Sequence, residues 1–422
     1  MKSNKYDVVV IGAGPSGSLC ARNLARSGYS VLLCEKRPVV GVPVRCGEAT
    51  GPVKRLSDFM TVNHDYIETR FTGVIFNGPG GINIRYDAGK ELGVMLDRKL
   101  FDQDIANQAM REGAELQTSA RVTSISSTTA SGIGRTLTIE KDGQTFEVEA
   151  KMVVGADGAE SLSGRWVGLK TRQLPPLACT AVELRVKAED PNPNHLTFWG
   201  GHDTIGKGYI WVFPKVKSKV VNLGSGELVP KLGARNMYDL SMEYKKKLYP
   251  DAEIEEVHGG CVPVSGNLEE YTADRFLLSG DAAHHTNPLT GGGIMAALVA
   301  AELRADENYR LAAAVLDGAL RGLAASGHPS VNRGIIDAAC WRNFNGRCVG
   351  LFVLSPGGAV TGGGAAPGGT TVKEATEMPA ALLETLFVSS PDDAALLRSE
   401  AVRTSVARGI ADGILRYLGL QS

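Results

Sequence analysis

The order of apolar and polar positions divides this 422-residue chain into three stretches. The first opens on a continuous apolar run, residues 6–11 (YDVVVI), the pattern of a strand buried on both faces. Residues 18–27 carry Leu19, Cys20 and Leu24 at helical spacing, and a second apolar run, 29–34, ends at Glu35. The predicted unit is strand, helix, strand. Residues 36–53, rich in Gly and Pro, predict an ordered loop. Runs at 71–76, 81–86 and 91–96, set off by Gly-rich turns, predict further strands. Leu100, Phe101, Ile105 and Ala109 recur at helical spacing, with Gly113 placed to end the helix. Residues 120–126, 135–140 and 144–149 predict a three-strand meander with an Asp-Gly hairpin. A separate buried strand, 151–154, runs into Gly155-Ala156-Asp157-Gly158.

From 172 to 263 the pattern alternates, predicting antiparallel strands at 179–186, 196–199, 209–213 and 220–225, with one face covered and one lining a site. Residues 243–249 read as a basic, solvated helix end. A buried strand, 276–279, then meets Gly280-Asp281, and Gly291, Gly292 and Gly293 open an apolar helix. Residues 301–422 hold one lysine, Lys373, against eighteen in the first 300, which marks a third stretch of different character. It predicts helices at 311–325, 380–387 and 392–420, and a flexible Gly-rich loop at 355–371.

A net charge of −1 provides no field that favours nucleic acid or an anionic membrane. The N-terminus shows no signal peptide and no apolar run reaches the length of a bilayer span, so the expected location is cytoplasmic, at most peripheral to a membrane. The seven cysteines, Cys20, Cys34, Cys46, Cys179, Cys261, Cys340 and Cys348, show no C-x-x-C and no metal-ligand spacing, and no metal site is expected.

Candidate chemistry begins with Gly12, Gly14 and Gly17, a G-x-G-x-x-G. Gly12 allows the tight turn, Gly14 lets a pyrophosphate approach the backbone, and Gly17 lets helix pack on strand. The helix N-terminus faces the phosphates, and Glu35 stands where a carboxylate accepts ribose hydroxyls. A glycine-rich turn without a ligand is the alternative, but two flanking strands and the acid about twenty residues on favour an ADP-binding unit. Asp157 is placed at the carboxyl edge of the sheet, or is an ordinary Asp-Gly turn. Arg45 beside Cys46 favours a thiolate, against the plainer reading of a packed small hydrophobe. Arg98, just before its helix, either reaches back to a cofactor or is solvated. The glycine triplet 291–293 offers backbone N–H groups to an anion. Tyr209, Trp211 and Phe213 share one strand face at period two, as core or as the wall of a site.

Taken in order, GAGPSG with its acid, GADG, and SGDAAHHTNPLTGGGI resemble the p-hydroxybenzoate hydroxylase group of FAD enzymes over roughly residues 5–300. No second nucleotide-binding unit for NAD(P)H occurs, so FAD is implied over NAD. The resemblance implies an α/β fold: a Rossmann-like FAD-binding domain of the GR2 type (1–60, 90–170 and 265–305), an antiparallel β-sheet substrate domain (61–89 and 171–264), and a mainly helical C-terminal region (306–422). Two further segments, Pro43-Val44-Arg45-Cys46-Gly47-Glu48 and Tyr209-Ile210-Trp211-Val212-Phe213-Pro214, look like those of the geranylgeranyl reductase family, its archaeal lipid branch in particular.

That resemblance implies an FAD-dependent oxidoreductase that saturates prenyl double bonds of isoprenoid membrane lipids, with an external electron donor of the ferredoxin, F420 or NAD(P)H type. It implies that Cys46 faces the flavin and is catalytic, and that Tyr209, Trp211 and Phe213 line a prenyl cavity. FAD positions carried over are Gly12, Gly14, Ser16 and Gly17 in the glycine loop, and Glu35 and Lys36 beside the ribose. Arg45, Cys46, Gly47 and Ala49 fall by the isoalloxazine, Arg98 ahead of its helix, and Val122 by the adenine. Asp157 supports the pyrophosphate region, with Asp281, Gly292, Gly293 and Ile294 at the second motif. Family members can pair the loop cysteine with a second one, for which Cys340 and Cys348 are the candidates. The sequence departs from the family at Leu162 and Ser163, where longer or more apolar residues are expected, and after residue 300. Rival readings are an aromatic-hydroxylating flavin monooxygenase, a flavin halogenase (Tyr209 stands where its W-x-W-x-[IV]-P pattern has tryptophan), and a non-catalytic lipid carrier.

Overall fold

The structure, a computed structural model, describes residues 3–126, 134–171, 178–228, 236–302, 341–342 and 348–349. The chain divides into two units after Glu302. Of the second, only an antiparallel strand pair is described, Trp341–Arg342 with Cys348–Val349. The helices expected at 311–325, 380–387 and 392–420, the loop at 355–371, and Cys340 lie outside the described residues.

The first unit is built on two large sheets. In the first, the parallel strands Lys5–Ile11, Val31–Cys34, Gln144–Gly155 and Phe276–Leu278 lie side by side, with Glu115–Gln117 beyond Val31–Cys34. Their apolar runs fill both faces: Val9, Val10, Leu32, Leu33 and Val153 are all fully buried. Register aligns the carboxyl ends, with Ile11 opposite both Gly155 and Cys34, and Gly155 opposite Leu278. Four motifs therefore leave the sheet at one edge, the edge where open α/β sheets bind ligands: Gly12, Glu35, Ala156-Asp157 and Ser279.

The third strand of the expected meander and the separate return strand are one twelve-residue strand, Gln144–Gly155. Its first half pairs antiparallel with Arg135–Lys141 and its second half parallel with Lys5–Ile11. It changes partners at Glu149 and Ala150 without leaving extended backbone, so no loop intervenes. The hairpin before it turns through Asp142 and Gly143, both at positive φ (51° and 75°), as the Asp-Gly pair demands.

The second sheet has seven strands in the order Ile254–Pro263, Ala178–Val186, Val220–Leu228, Ile205–Lys215, His195–Gly201, Gly73–Asn77 and Asn83–Asp87. All neighbours are antiparallel except His195–Gly201 with Gly73–Asn77. The strand expected at 71–76 is two strands: Ile67–Phe71 joins a small sheet with Gly93–Leu96 and Ala49–Thr50, and Gly73–Asn77 joins the large one. Helix Met237–Leu248 covers one face through Met237, Leu240 and Tyr244. Its basic end is not wholly solvated as expected: Lys245 is buried and its ammonium donates to the Pro250 carbonyl at 3.0 Å. On the other face Trp211 and Phe213 pack with Phe71, Met95 and Leu196.

Candidate cofactor site and thiol loop

The glycine loop is shaped by contacts only glycine tolerates. A Cβ on Gly12 (φ 102°) would lie 2.3 Å from the Ala156 carbonyl oxygen, and one on Gly17 would lie 1.9 Å from that of Gly12. These two positions fasten the turn to the strand end beside it. Gly14 differs: a Cβ there would meet no protein atom within 4 Å. It is the N-cap of helix Pro15–Arg26 and provides no side-chain cap. The first turn's N–H groups thus face open space in front of Gly14, the arrangement an anionic pyrophosphate fills. Glu35 sits beside it. Its Oε2 accepts the Ala13 N–H and its Oε1 the Arg37 N–H, both at 2.9 Å, and a carboxylate oxygen so engaged retains a lone pair for a hydroxyl. Lys36 is exposed.

The second motif closes on the first. Ser16 and Ser279 share a 2.7 Å hydrogen bond between buried hydroxyls. Burial pushes the Asp281 carboxyl up from its ordinary value, while Thr286, donating to its Oδ1 at 3.1 Å, and the Arg98 guanidinium act in the opposite sense. A Cβ on Gly293 would meet Asp281 Oδ1 at 2.9 Å, so Gly293 is a close-approach glycine; Gly292 is exposed and Ile294 is core. Asp157 binds its own loop, accepting from the Ser161 and Ser163 hydroxyls and from the Leu162 and Ser163 N–H groups at 2.7–3.0 Å. Both oxygens are occupied in holding the loop that Gly12 packs against. Val122 is a buried core residue.

Arg98 is not a solvated helix-start arginine. Its Nε and one terminal nitrogen grip Asp102 at 2.8 and 2.9 Å, both side chains being buried or nearly so. The same guanidinium lies close enough to Cys46 to favour its charged form. The expected role of Arg45 is therefore corrected: it is exposed, 3.8 Å from Glu160, and Arg98 is the cation beside the thiol. Of the two readings of Cys46 in the sequence, a thiolate and a packed small thiol, desolvation favours the second. Burial raises the Cys46 thiol above its ordinary value, and Arg98 and the Glu48 N–H, 3.2 Å from Sγ, offset only part of this. The balance of these effects favours the thiol over the thiolate.

Beneath the thiol lies a set of buried polar groups. Glu48 (φ 66°) is 2% exposed and accepts from Lys215 Nζ at 2.7 Å, Asn222 Nδ2 at 2.8 Å and the Arg98 N–H at 2.9 Å. Trp211 Nε1 donates to Glu183 Oε2 at 2.9 Å. Phe213 lies against Gly47, where a Cβ would be 3.3 Å from its ring, and Ala49 packs on the same aromatic cluster. Phe198 bridges the row edge-on, 5.5 Å from Tyr209 and 5.3 Å from Phe213. The Tyr209 hydroxyl donates to the Thr290 carbonyl, tying the wall to the glycine triplet. Sequence reading did not single out Glu48, Asp102, Glu183, Lys215 or Asn222. A signal existed for Lys215, which continues the period-two face of Tyr209, Trp211 and Phe213.

An uncapped helix start, open space at Gly14, the Glu35 carboxylate beside it, and a second buried carboxyl near Arg98 fit the chemistry of a dinucleotide. The fold and this site define an FAD-binding flavoprotein. The family profile described as FAD binding domain matches residues 5–206. A second, described as N-acetylmuramoyl-L-alanine amidase, matches 285–416. The digeranylgeranylglycerophospholipid reductase of Methanosarcina mazei is 37% identical over 321 residues, spanning 72% of this chain and 75% of that protein. The protein of that name from Methanocella arvoryzae is 36% identical over 301 residues, 71% and 76% of the two chains. The solved geranylgeranyl bacteriochlorophyll reductase-like protein of Thermoplasma acidophilum superposes with a TM-score of 0.66 at 31% identity over 70% of this chain and 76% of that one. The p-nitrophenol 4-monooxygenase of Pseudomonas putida, at 20% identity and a TM-score of 0.58 over 71% of this chain and 78% of that one, shares the fold. The chain belongs to the digeranylgeranylglycerophospholipid reductase family and is an FAD-dependent oxidoreductase.

Proposed function

We propose that this protein saturates prenyl double bonds of isoprenoid membrane lipids of the digeranylgeranylglycerophospholipid kind. The observation that carries the reading beyond family membership is the placement of the half-buried Cys46 thiol in a loop that Phe213 packs against, where desolvation favours its protonated form. Bound and reduced, FAD supplies the hydride for such a reaction. The chain supplies the rest. Gly14, the first turn of helix Pro15–Arg26 and Glu35 would hold the ADP end, with Ser16, Asp281 and Arg98 further along. Cys46 gives the proton to the second alkene carbon. An isolated alkene has no carbonyl to polarise, so alignment along Tyr209, Trp211 and Phe213 and exclusion of water are the remaining means of catalysis. Electrons come from an external donor of the ferredoxin, F420 or NAD(P)H type. Contact with the lipid's membrane is peripheral, consistent with the absence, among the described residues, of a helix long and apolar enough to cross one. The test is Cys46→Ala with dithionite-reduced protein and geranylgeranyl lipid, followed by mass gains of two hydrogens. We expect flavin absorbance to be retained and turnover to fall about 100-fold or more; undiminished turnover overturns the role of Cys46, and no hydrogen gain in the wild type overturns the reading.

A second reading concerns the C-terminal part, where the amidase profile matches from residue 285, inside the first unit, to 416. The amidase profile match and the loss of lysine beyond residue 300 favour an appended module of amidase kind. Release of peptide from an N-acetylmuramoyl-L-alanine substrate by the full chain tests it, and no release overturns it.

A further inference from the structure

We propose that Glu183 is a positioning residue for the reductase reaction: its carboxyl, set against the Cys46–Gly47 backbone, returns to the Cys46 thiol the proton that the thiol gives to the substrate. The assignment rests on the reductase reading above.

The placement is built rather than incidental. Glu183 lies on Ala178–Val186, a strand with hydrogen-bonded neighbours on both sides, and is 5% exposed. Register puts Glu183 opposite Gly224, and Gly224 opposite Trp211. A Cβ on Gly224 would lie 2.3 Å from the Trp211 ring. Glycine on the middle strand therefore lets the indole cross it and hydrogen-bond Glu183 one strand further on. On its other side, Glu183 Oε2 stands 3.6 Å from where a Cβ on Gly47 would be, next to Cys46 in sequence. The charged groups around Glu183 come from three elements: Glu48 from the loop, Lys215 from Ile205–Lys215, and Arg185 from its own strand. Cys46 in turn faces Arg98, Glu48 and Glu183. Lys215 is engaged by Glu48 and Arg185 by Glu255 and Glu256, so among the described residues neither cation is paired with Glu183.

A glutamine of the same shape would accept the same Trp211 hydrogen bond without the penalty of a buried acid. What glutamate adds is a proton. Burial and the Glu48 charge push the Glu183 carboxyl up to about 8, so it is a neutral acid at neutral pH. In the reaction the Cys46 S–H bond breaks as a C–H bond forms on one alkene carbon. The other carbon gains the hydride, and the reduced flavin is oxidised. The thiolate then takes the Glu183 proton, and water reprotonates the carboxylate between turnovers.

The test uses the full-length, FAD-loaded protein and Glu183→Gln, with Glu183→Asp as the variant that keeps a carboxyl. Without lipid, iodoacetamide labelling of Cys46 is followed against pH by mass spectrometry of the tryptic peptide 46–54. Ionised Glu183 holds the thiol up, so E183Q is expected to label about threefold faster or more at pH 9; equal rates overturn the coupling. With lipid, wild-type reduction is expected to fall as pH rises through about 8. E183Q should be slower by about tenfold at pH 7 and lack that limb, whereas E183D retains one. An E183Q profile matching the wild type overturns the proposal. A wild type that reduces no prenyl lipid overturns the reductase reading instead, while the labelling result still decides the coupling.

Discussion

Lys215 Nζ lies 2.7 Å from Glu48 Oε2, and the two side chains are 0% and 2% exposed. One belongs to the seven-stranded sheet and the other to the loop that carries the thiol, so this ion pair ties loop to sheet. Breaking a buried pair from one side strands the other charge, which costs about 3–5 kcal/mol. Lys215→Met should therefore lose about that much in urea unfolding. The double variant with Glu48→Gln should lose less than the sum of the singles. Additive losses would show that the pair does not act as a unit.

Gly14 and Gly17 separate ligand binding from folding. Gly17→Ala places a Cβ 1.9 Å from a backbone oxygen, and Gly14→Ala places one in open space at φ −73°. G17A should unfold or melt far below wild type. G14A should keep its melting temperature as apoprotein yet bind FAD about tenfold more weakly or worse, about 1.4 kcal/mol, read by flavin titration. FAD affinity unchanged in G14A would place the pyrophosphate elsewhere.

Acid should weaken the fold through His285. Burial, aided by neighbouring His284, pushes its imidazole down to about 4, and its Nδ1 has no hydrogen-bond partner among the described residues. The unfolded chain takes up this proton near pH 6.5 and the native chain only near 4. Stability from this group is thus complete above about 6.5 and falls as pH drops to about 4, by roughly 3 kcal/mol. His285→Gln should flatten that part of the unfolding midpoint's pH dependence; an unchanged slope would assign it to other groups.

Tyr209→Phe deletes only the hydroxyl that holds the Thr290 carbonyl. One lost hydrogen bond is worth about 1 kcal/mol, so amide hydrogen exchange over residues 290–293 should quicken about fivefold while the sheet interior is unaffected. Equal exchange would mean the glycine triplet is held by its own turn, in which Asn287 and Gly291–Gly292 already bond to each other.

What the sequence made legible and what it hid follow from the same physics. The Gly12–Glu35 unit could be read because close backbone approach excludes every side chain, and that leaves a fixed spacing of glycines. The strands of the second sheet could be read from their alternation, but the packing of both faces, one under Met237–Leu248 and one against Phe71, Met95 and Leu196, could not. Glu48, Glu183, Lys215 and Asp102 were hidden because charged letters between apolar ones look solvent-facing. Only the assembled sheet shows that they turn inward and find partners. The state of Cys46 stayed open because sequence adjacency to Arg45 says nothing of burial, and the cation that acts on it comes from fifty-two residues further on, at Arg98. The change of partner at Glu149 and Ala150 was missed because a strand that passes from one neighbour to another keeps its alternation throughout.

The hydroxyl pair Ser16–Ser279 spans 263 residues of chain. During synthesis the ADP-side loop leaves the ribosome early, while the segment that completes the pocket is made only after both sheets have nearly all their strands. Long-range closure of this kind comes late in folding. Flavin capture therefore waits on one of the last strands of the first unit, and a nascent chain halted before residue 279 would hold half a site.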